Sequence, residues 1–97
     1  MKVQFDSADL ERLYYDPADT SQPAEIAKQY RKVVGLIRAA VDERDLYAFK
    51  GRRYKKLKGN RKHQRSLRLN DQWRLIVEIQ GSGDSKEMVI IGIEDYH

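Results

Sequence analysis

The chain is 97 residues long, 40% hydrophobic and 35% charged, with a formal net charge of +4, a size that supports one domain, residues 1–97, around one modest core. It has no cysteine and two histidines, which excludes disulfides and thiolate metal sites and leaves a structural zinc site without its usual donors. The opening residues lack the apolar run of a signal peptide, and no stretch approaches the ~20 apolar residues of a membrane span, so a soluble cytoplasmic protein with no membrane partner is expected.

Val3 and Phe5 alternate with polar neighbours, which predicts a short first strand. Asp6 or Ser7 can cap a following helix that opens with Asp9 and Glu11, acids suited to the positive end of the helix dipole. Leu10, Leu13 and Tyr14 form its apolar stripe, and Asp16-Pro17 with the polar residues 19–22 predicts a loop. A longer helix begins at Pro23, which suits a first helical position, with Glu25 close behind. Ile26, Tyr30, Val33, Val34, Ile37 and Val41 recur along one face at helical spacing, while Lys28, Arg31, Lys32 and Arg38 read as a solvated opposite face. Gly35 lowers helix propensity and is expected to mark a close packing contact. This helix should end near the very polar residues 42–45. Tyr14, Tyr15, Tyr30 and Tyr47, all in helical regions, are expected to pack.

Residues 50–74 hold eleven Lys and Arg and one acid, Asp71, a net +10, while the remaining residues carry eight bases against fourteen acids, a net −6. Such polarisation attracts a polyanion in a salt-dependent way and favours an anionic partner over a merely solvated loop. Beyond this basic stretch the period becomes two. Leu67 and Leu69 oppose Ser66 and Arg68; Trp73, Leu75, Val77 and Ile79 face a core, with Arg74 and Glu78 on the other side. Asn70-Asp71 predicts a tight hairpin turn, and residues 81–85 a looser one. Residues 88–93 form a nearly continuous apolar run, expected to be a central strand covered on both faces for part of its length. The order predicts an α+β fold: a short N-terminal strand and two helices packed on one face of a twisted, mainly antiparallel sheet of about four strands.

Three blocks stand out: Leu57-Lys58-Gly59-Asn60-Arg61, then Ser66-Leu67-Arg68-Leu69-Asn70-Asp71-Gln72-Trp73-Arg74, then Glu94-Asp95-Tyr96-His97. Together, in this order and spacing, they resemble the HigB toxins of the RelE/ParE superfamily of bacterial type II toxin–antitoxin systems. The resemblance implies a RelE-like fold and a ribosome-dependent messenger-RNA endonuclease that cuts the codon exposed in the ribosomal A site, without a metal or other cofactor. It also implies three partners: the ribosome, messenger RNA, and a neutralising HigA-like antitoxin with a DNA-binding domain. The positions that match the family's catalytic set are Lys58, Arg74, Asp95, Tyr96 and His97. Some members carry a second histidine three residues before the loop lysine, where this chain has Lys55. A lysine near its reference pKa is a poor base at neutral pH, so Lys55 is expected to contact phosphate. Lys50, Arg52, Arg53, Lys56, Arg61, Lys62, Arg65 and Arg68 are the other expected RNA and ribosome contacts.

Cleavage through the 2′-hydroxyl needs a base, cations to stabilise a dianionic phosphorane, and an acid for the leaving 5′-oxygen. His97 is the side chain best suited to proton transfer near neutral pH. Arg74 and Lys58 supply fixed charge, and arginine also matches phosphate with a two-pronged fork. Asp95 can orient His97, and Tyr96 can stack on a base or bond to phosphate. In an extended strand Asp95 and His97 share one face and Tyr96 takes the other. His63 reads as a loop residue or RNA contact, and Trp73 as core. Two other functions fit parts of the pattern. One is a noncatalytic RNA- or ribosome-binding module, for which the basic patch suffices. The other is a ParE-like gyrase poison, against which the terminal Asp-Tyr-His and Lys58 argue.

Overall fold

The computed structural model of the chain describes residues 1–95. Strand β1 (Lys2–Phe5) passes almost directly into helix α1 (Ala8–Tyr15). Ser7 makes the switch, because its backbone is extended and its Oγ accepts the Leu10 N–H at 3.2 Å. That satisfies one of the first-turn donors that every helix leaves without an intrahelical partner. Helix α2 (Ala24–Ala39) buries Ile26, Ala27, Tyr30, Val33, Val34 and Ile37 along one stripe. It stops earlier than residues 42–45, and Val41, expected on the stripe, lies beyond it at 88% exposure. The cause is local. Asp45 accepts the Val41 N–H at 2.8 Å and Asp42 accepts the Arg44 N–H at 2.7 Å. Carboxylates thus take backbone donors that a continuing helix would use, and a 3-10 helix (Glu43–Ala48) follows instead.

Among the described residues the sheet has five strands in the order β1-β5-β4-β3-β2. The others are β2 (Lys55–Lys56), β3 (Gln64–Arg68), β4 (Trp73–Gln80) and β5 (Glu87–Asp95). β1 runs parallel to β5, and every other pairing is antiparallel. The strand beyond the expected four is β2, whose two residues are too few to show any alternation in sequence. β3 and β4 are joined by residues 69–72 rather than a two-residue turn. Asn70 Oδ1 accepts the N–H groups of Gln72 and Trp73, both at 2.8 Å, so a side chain closes the connection. Leu67, Leu75, Val77, Met88 and Ile90 on one face of the sheet join the α2 stripe in a single buried cluster. The architecture is α+β, with helices on one side of a mixed sheet.

β5 contains one irregularity. Ile90 pairs with Val77 and Gly92 with Ile76, so Ile91 is an extra residue in a bulge. Beyond it Glu94 lies opposite Arg74, and Asp95 opposite Trp73. In an uninterrupted ladder the same sequence would have placed Ile93 opposite Arg74.

Several polar side chains fasten the helices. The Tyr30 hydroxyl donates to Leu10 O at 2.7 Å. Arg31, expected to be solvated, instead donates to Leu13 O at 2.9 Å and Asp16 O at 3.1 Å, tying the end of α1 to α2. Arg38 donates to the Tyr15 hydroxyl at 2.9 Å and lies over the Tyr14 and Tyr15 rings, while Lys28 and Lys32 are exposed as expected. Of the four tyrosines read as packing residues, Tyr15 and Tyr47 are 59% and 53% exposed, because each lies at the margin of a short helix. On the far side of the core the Tyr54 hydroxyl donates to Glu43 at 2.7 Å, and the Arg65 guanidinium lies 3.6 Å from the same carboxylate oxygen.

Two predictions follow from this packing. A Cβ added at Gly35 would meet nothing within 4 Å, so this glycine marks no close contact. Gly35→Ala should raise the unfolding free energy by about 0.5–1 kcal/mol in urea titrations. Burial, reinforced by Tyr14, pushes the Tyr30 phenol well above the ordinary tyrosine value, and burial followed by the Glu43 contact does the same to Tyr54. Because the folded values are raised, this contribution is whole below about pH 10, where unfolded tyrosine ionises, and is lost as pH climbs from there through the folded values. The urea midpoint should fall above about pH 10, and less steeply in Tyr54→Phe.

Candidate functional site

Alternation fixes which residues reach the sheet face turned away from the helices. Row by row they are Gln64 and Glu78; Ser66, Ile76 and Gly92; and Arg68, Arg74 and, thanks to the bulge, Glu94. Lys55 of β2 extends the middle row, opposite Ser66. After β2 the Leu57 N–H still bonds to Gln64 O at 3.0 Å. The chain then turns through Gly59, whose φ of +70° suits glycine, into a short 3-10 helix (Gly59–Arg61). This turn stands beside the end of β5. Between them is a cleft of about 240 Å³ lined by Lys55, Leu57, Arg61, Ser66, Arg74, Ile76, Glu94 and Asp95.

Arg74 sits deepest. It is 9% exposed although it points away from the helices, and its Nη1 donates to Ser66 Oγ at 3.3 Å. Arg61 crosses the mouth: Nη1 and Nη2 donate to the two Glu94 oxygens at 3.0 and 2.8 Å, and Nε donates to Gln64 Oε1 at 2.8 Å. Asp95 borders the cleft and accepts from Gln72 Nε2 at 3.1 Å. A fork-bearing cation, a hydroxyl and a lysine on one small concave surface form an arrangement suited to gripping a phosphodiester.

Of the expected catalytic set, Arg74 and Asp95 therefore share the cleft. Lys58 is exposed at the start of the 3-10 turn and does not line it. Tyr96 and His97 lie outside the described residues. The expected RNA contacts do not form one patch. Lys55 and Arg61 belong to the cleft. Lys50, Arg52 and Arg68 line a crevice of about 560 Å³ between α2, a 3-10 turn (Lys50–Arg52) and the β3–β4 connection. There Arg52 donates to Gln29 Oε1 at 3.0 Å and to Arg68 O at 3.3 Å, and Arg68 pairs with Asp71, so both arginines fasten the fold. Lys56, Lys62 and Arg65 stand with His63 and Glu43 around the β2–β3 edge, where Arg65 is turned toward the helix side. Arg53 is exposed in a left-handed conformation with φ of +48°. His63 is exposed, with Nε2 3.7 Å from Glu78, and Trp73 is partly buried against the core.

Sequence reasoning missed Glu94 and Ser66. Glu94 heads the terminal block, but its face depends on a bulge whose one mark in the sequence is Gly92, a lone glycine inside a strand run. Ser66 stood one residue from a predicted core position and gave no sign that it would receive a guanidinium. Among the described residues no three His, Asp or Glu side chains converge as a metal would need, and no helix is long and apolar enough to cross a membrane.

Comparison with known proteins gives a family. The model described as the RelE-like toxin of type II toxin–antitoxin system HigB matches residues 3–97. No curated protein matches the sequence. Among solved structures, a YoeB/ParE toxin from Agrobacterium tumefaciens superposes with a TM-score of 0.61 over 100% of both chains at 15% identity, which shows a shared fold. Since the family's pattern runs through the first strand, the cleft-forming strands and the terminal block alike, the chain belongs to the HigB-like toxins, RelE-like members of type II toxin–antitoxin systems.

Proposed function

We propose that this toxin is a ribosome-dependent messenger-RNA endonuclease, acting as a single domain of residues 1–97, and that its chemistry takes place at the outer cleft and the adjoining end of β5. The observation that carries the reading is Arg74: a guanidinium sunk to 9% exposure in a sheet face, bonded to Ser66, with Lys55 in the neighbouring row and Asp95 at the margin. A cation fixed and partly desolvated before substrate arrives stabilises developing charge without reorganising, which is the largest single contribution in many enzymes.

In this reading Arg74 holds the non-bridging oxygens of the scissile phosphate, with Lys55 and the exposed Lys58 adding charge as the phosphorane forms. His97 exchanges protons with the reacting oxygens, Tyr96 stacks on or bonds to the RNA, and Asp95 orients its neighbours in the terminal block. The 2′-hydroxyl loses its proton to a base, its oxygen bonds to phosphorus, and the bond to the 5′-oxygen breaks as that oxygen gains a proton. The products are a cyclic phosphate and a 5′-hydroxyl, and no water, metal or electron acceptor enters the balance. Membership in a type II family implies an antitoxin partner. We take that antitoxin to be HigA-like and DNA-binding, with the ribosome and messenger RNA as the other partners in the cytoplasm.

The test uses the toxin freed from antitoxin, message-programmed ribosomes, and primer extension with and without EDTA. Cuts should depend on ribosomes and resist EDTA. His97→Ala should slow them by about a hundredfold or more, and Arg74→Lys, which keeps the charge but loses the fork, by about a hundredfold, each with ribosome binding retained. A folded wild-type protein that binds ribosomes and leaves messages intact would overturn the proposal, and so would His97→Ala cutting at the wild-type rate.

A further inference from the structure

Arg61 and Glu94 pair on the wall of the cleft that also holds Lys55, Ser66 and Arg74. Both guanidinium Nη atoms hold both carboxylate oxygens, at 3.0 and 2.8 Å. That parallel geometry is the one a guanidinium offers to two oxygens of a phosphodiester, so Glu94 fills a phosphate's position with a carboxylate. The contact joins distant parts of the chain, the basic turn and the end of β5, and it forms only because the Ile91 bulge turns Glu94 to the outer face, opposite Arg74.

Two features make the contact exchangeable rather than purely structural. The side chains are 41% and 45% exposed, and ion pairs in that setting are weak enough for a competing anion to displace. Arg61 also has a second anchor. Its Nε donates to Gln64 Oε1, and Gln64 Nε2 in turn donates to Glu78 at 3.0 Å, so the guanidinium stays aimed at the cleft when the carboxylate leaves.

We propose that Glu94 is a selectivity residue. Its carboxylate neutralises Arg61 as an internal stand-in for phosphate, so that a free RNA strand meets a cleft with one cation withheld. RNA presented with enough further contacts displaces the carboxylate and recruits Arg61. The inference rests on reading the cleft as an RNA site, and its test uses binding alone, so its failure is distinguishable from failure of the cleavage assay.

The experiment measures fluorescence anisotropy of a labelled 2′-O-methyl uridine octamer, which cannot be cleaved, titrated with antitoxin-free toxin across about 50 to 200 mM KCl. Glu94→Gln should tighten binding by about three- to tenfold and steepen the slope of log K against log salt by about 0.7, the increment for one more phosphate neutralised on a single strand. The gain should vanish in an Arg61→Gln background. A gain that persists in that background would reduce Glu94 to a through-space charge and overturn the proposal. No gain, or a loss, would leave the pair as a fastener of the turn and overturn it equally. If Glu94→Gln melts below the assay temperature, Glu94→Asp serves instead, since it keeps the charge but draws the carboxylate back by one methylene from the Arg61 fork. It should tighten binding by roughly two- to threefold, a gain again lost in the Arg61→Gln background, and unchanged affinity would sink the idea.

Discussion

The two-sidedness of β4 is the constraint from which the rest of the molecule follows. Successive residues of a strand point to opposite faces, so Leu75 and Val77 enter the core beneath α2 while Arg74 and Ile76 form the floor of the cleft. The same backbone hydrogen bonds that hold the core in register therefore set the position of the buried guanidinium. Packing on one side supplies precision on the other. A catalytic or binding group placed on a strand between two paired neighbours inherits their rigidity, whereas one on the basic turn depends on whatever side-chain contacts hold that turn down.

Within residues 50–74 the two kinds of cation divide their labour. Arg52, Arg61, Arg65 and Arg68 are each engaged with a carboxylate, an amide or a backbone carbonyl of the same chain. Lys50, Lys56, Lys58 and Lys62 remain exposed. The planar fork of arginine matches paired oxygens inside the protein as well as it matches phosphate, while a compact, strongly hydrated ammonium prefers solvent. In a segment with a net +10, Arg61, Arg65 and Arg68 thus face carboxylates of the same chain. Lys56 and Lys62 stand exposed around the β2–β3 edge, while Lys50 borders the crevice beside α2.

What was legible in the sequence is what periodicity encodes. The α2 stripe, the alternation of β4 and a cap of α1 at Asp6 or Ser7 all express repeated or locally paired chemistry, and all are present, the cap at Ser7. Three features were silent for physical reasons. β2 is shorter than one period of alternation. The end of α2 was decided by competition between carboxylates and helix carbonyls for backbone donors, which composition alone does not rank. The bulge falls in residues 88–93, where nearly every side chain is apolar and a change of parity is marked only by Gly92, which does not say where the extra residue falls. For the candidate site, Arg74 and Asp95 were placed together by the family blocks, but Glu94, the residue facing Arg74 across β4 and β5, was hidden by that same parity change. A count of charges likewise says nothing about faces, so one run of bases in the sequence became three separate surfaces in the fold.

The bulge also makes the length of the chain negotiable at one place. Between Ile90, anchored in the core opposite Val77, and Glu94, opposite Arg74, β5 holds one residue more than β4 does across the same interval. A chain shorter by one residue there would pair without interruption and still bring Ile93 to Leu75 and the outward carboxylate to Arg74. The same deletion within β4 would exchange core and cleft side chains along the rest of the strand. The described strands therefore carry a unit of slack between the core rows of the sheet and the rows that line the outer cleft, where a change in length disturbs neither.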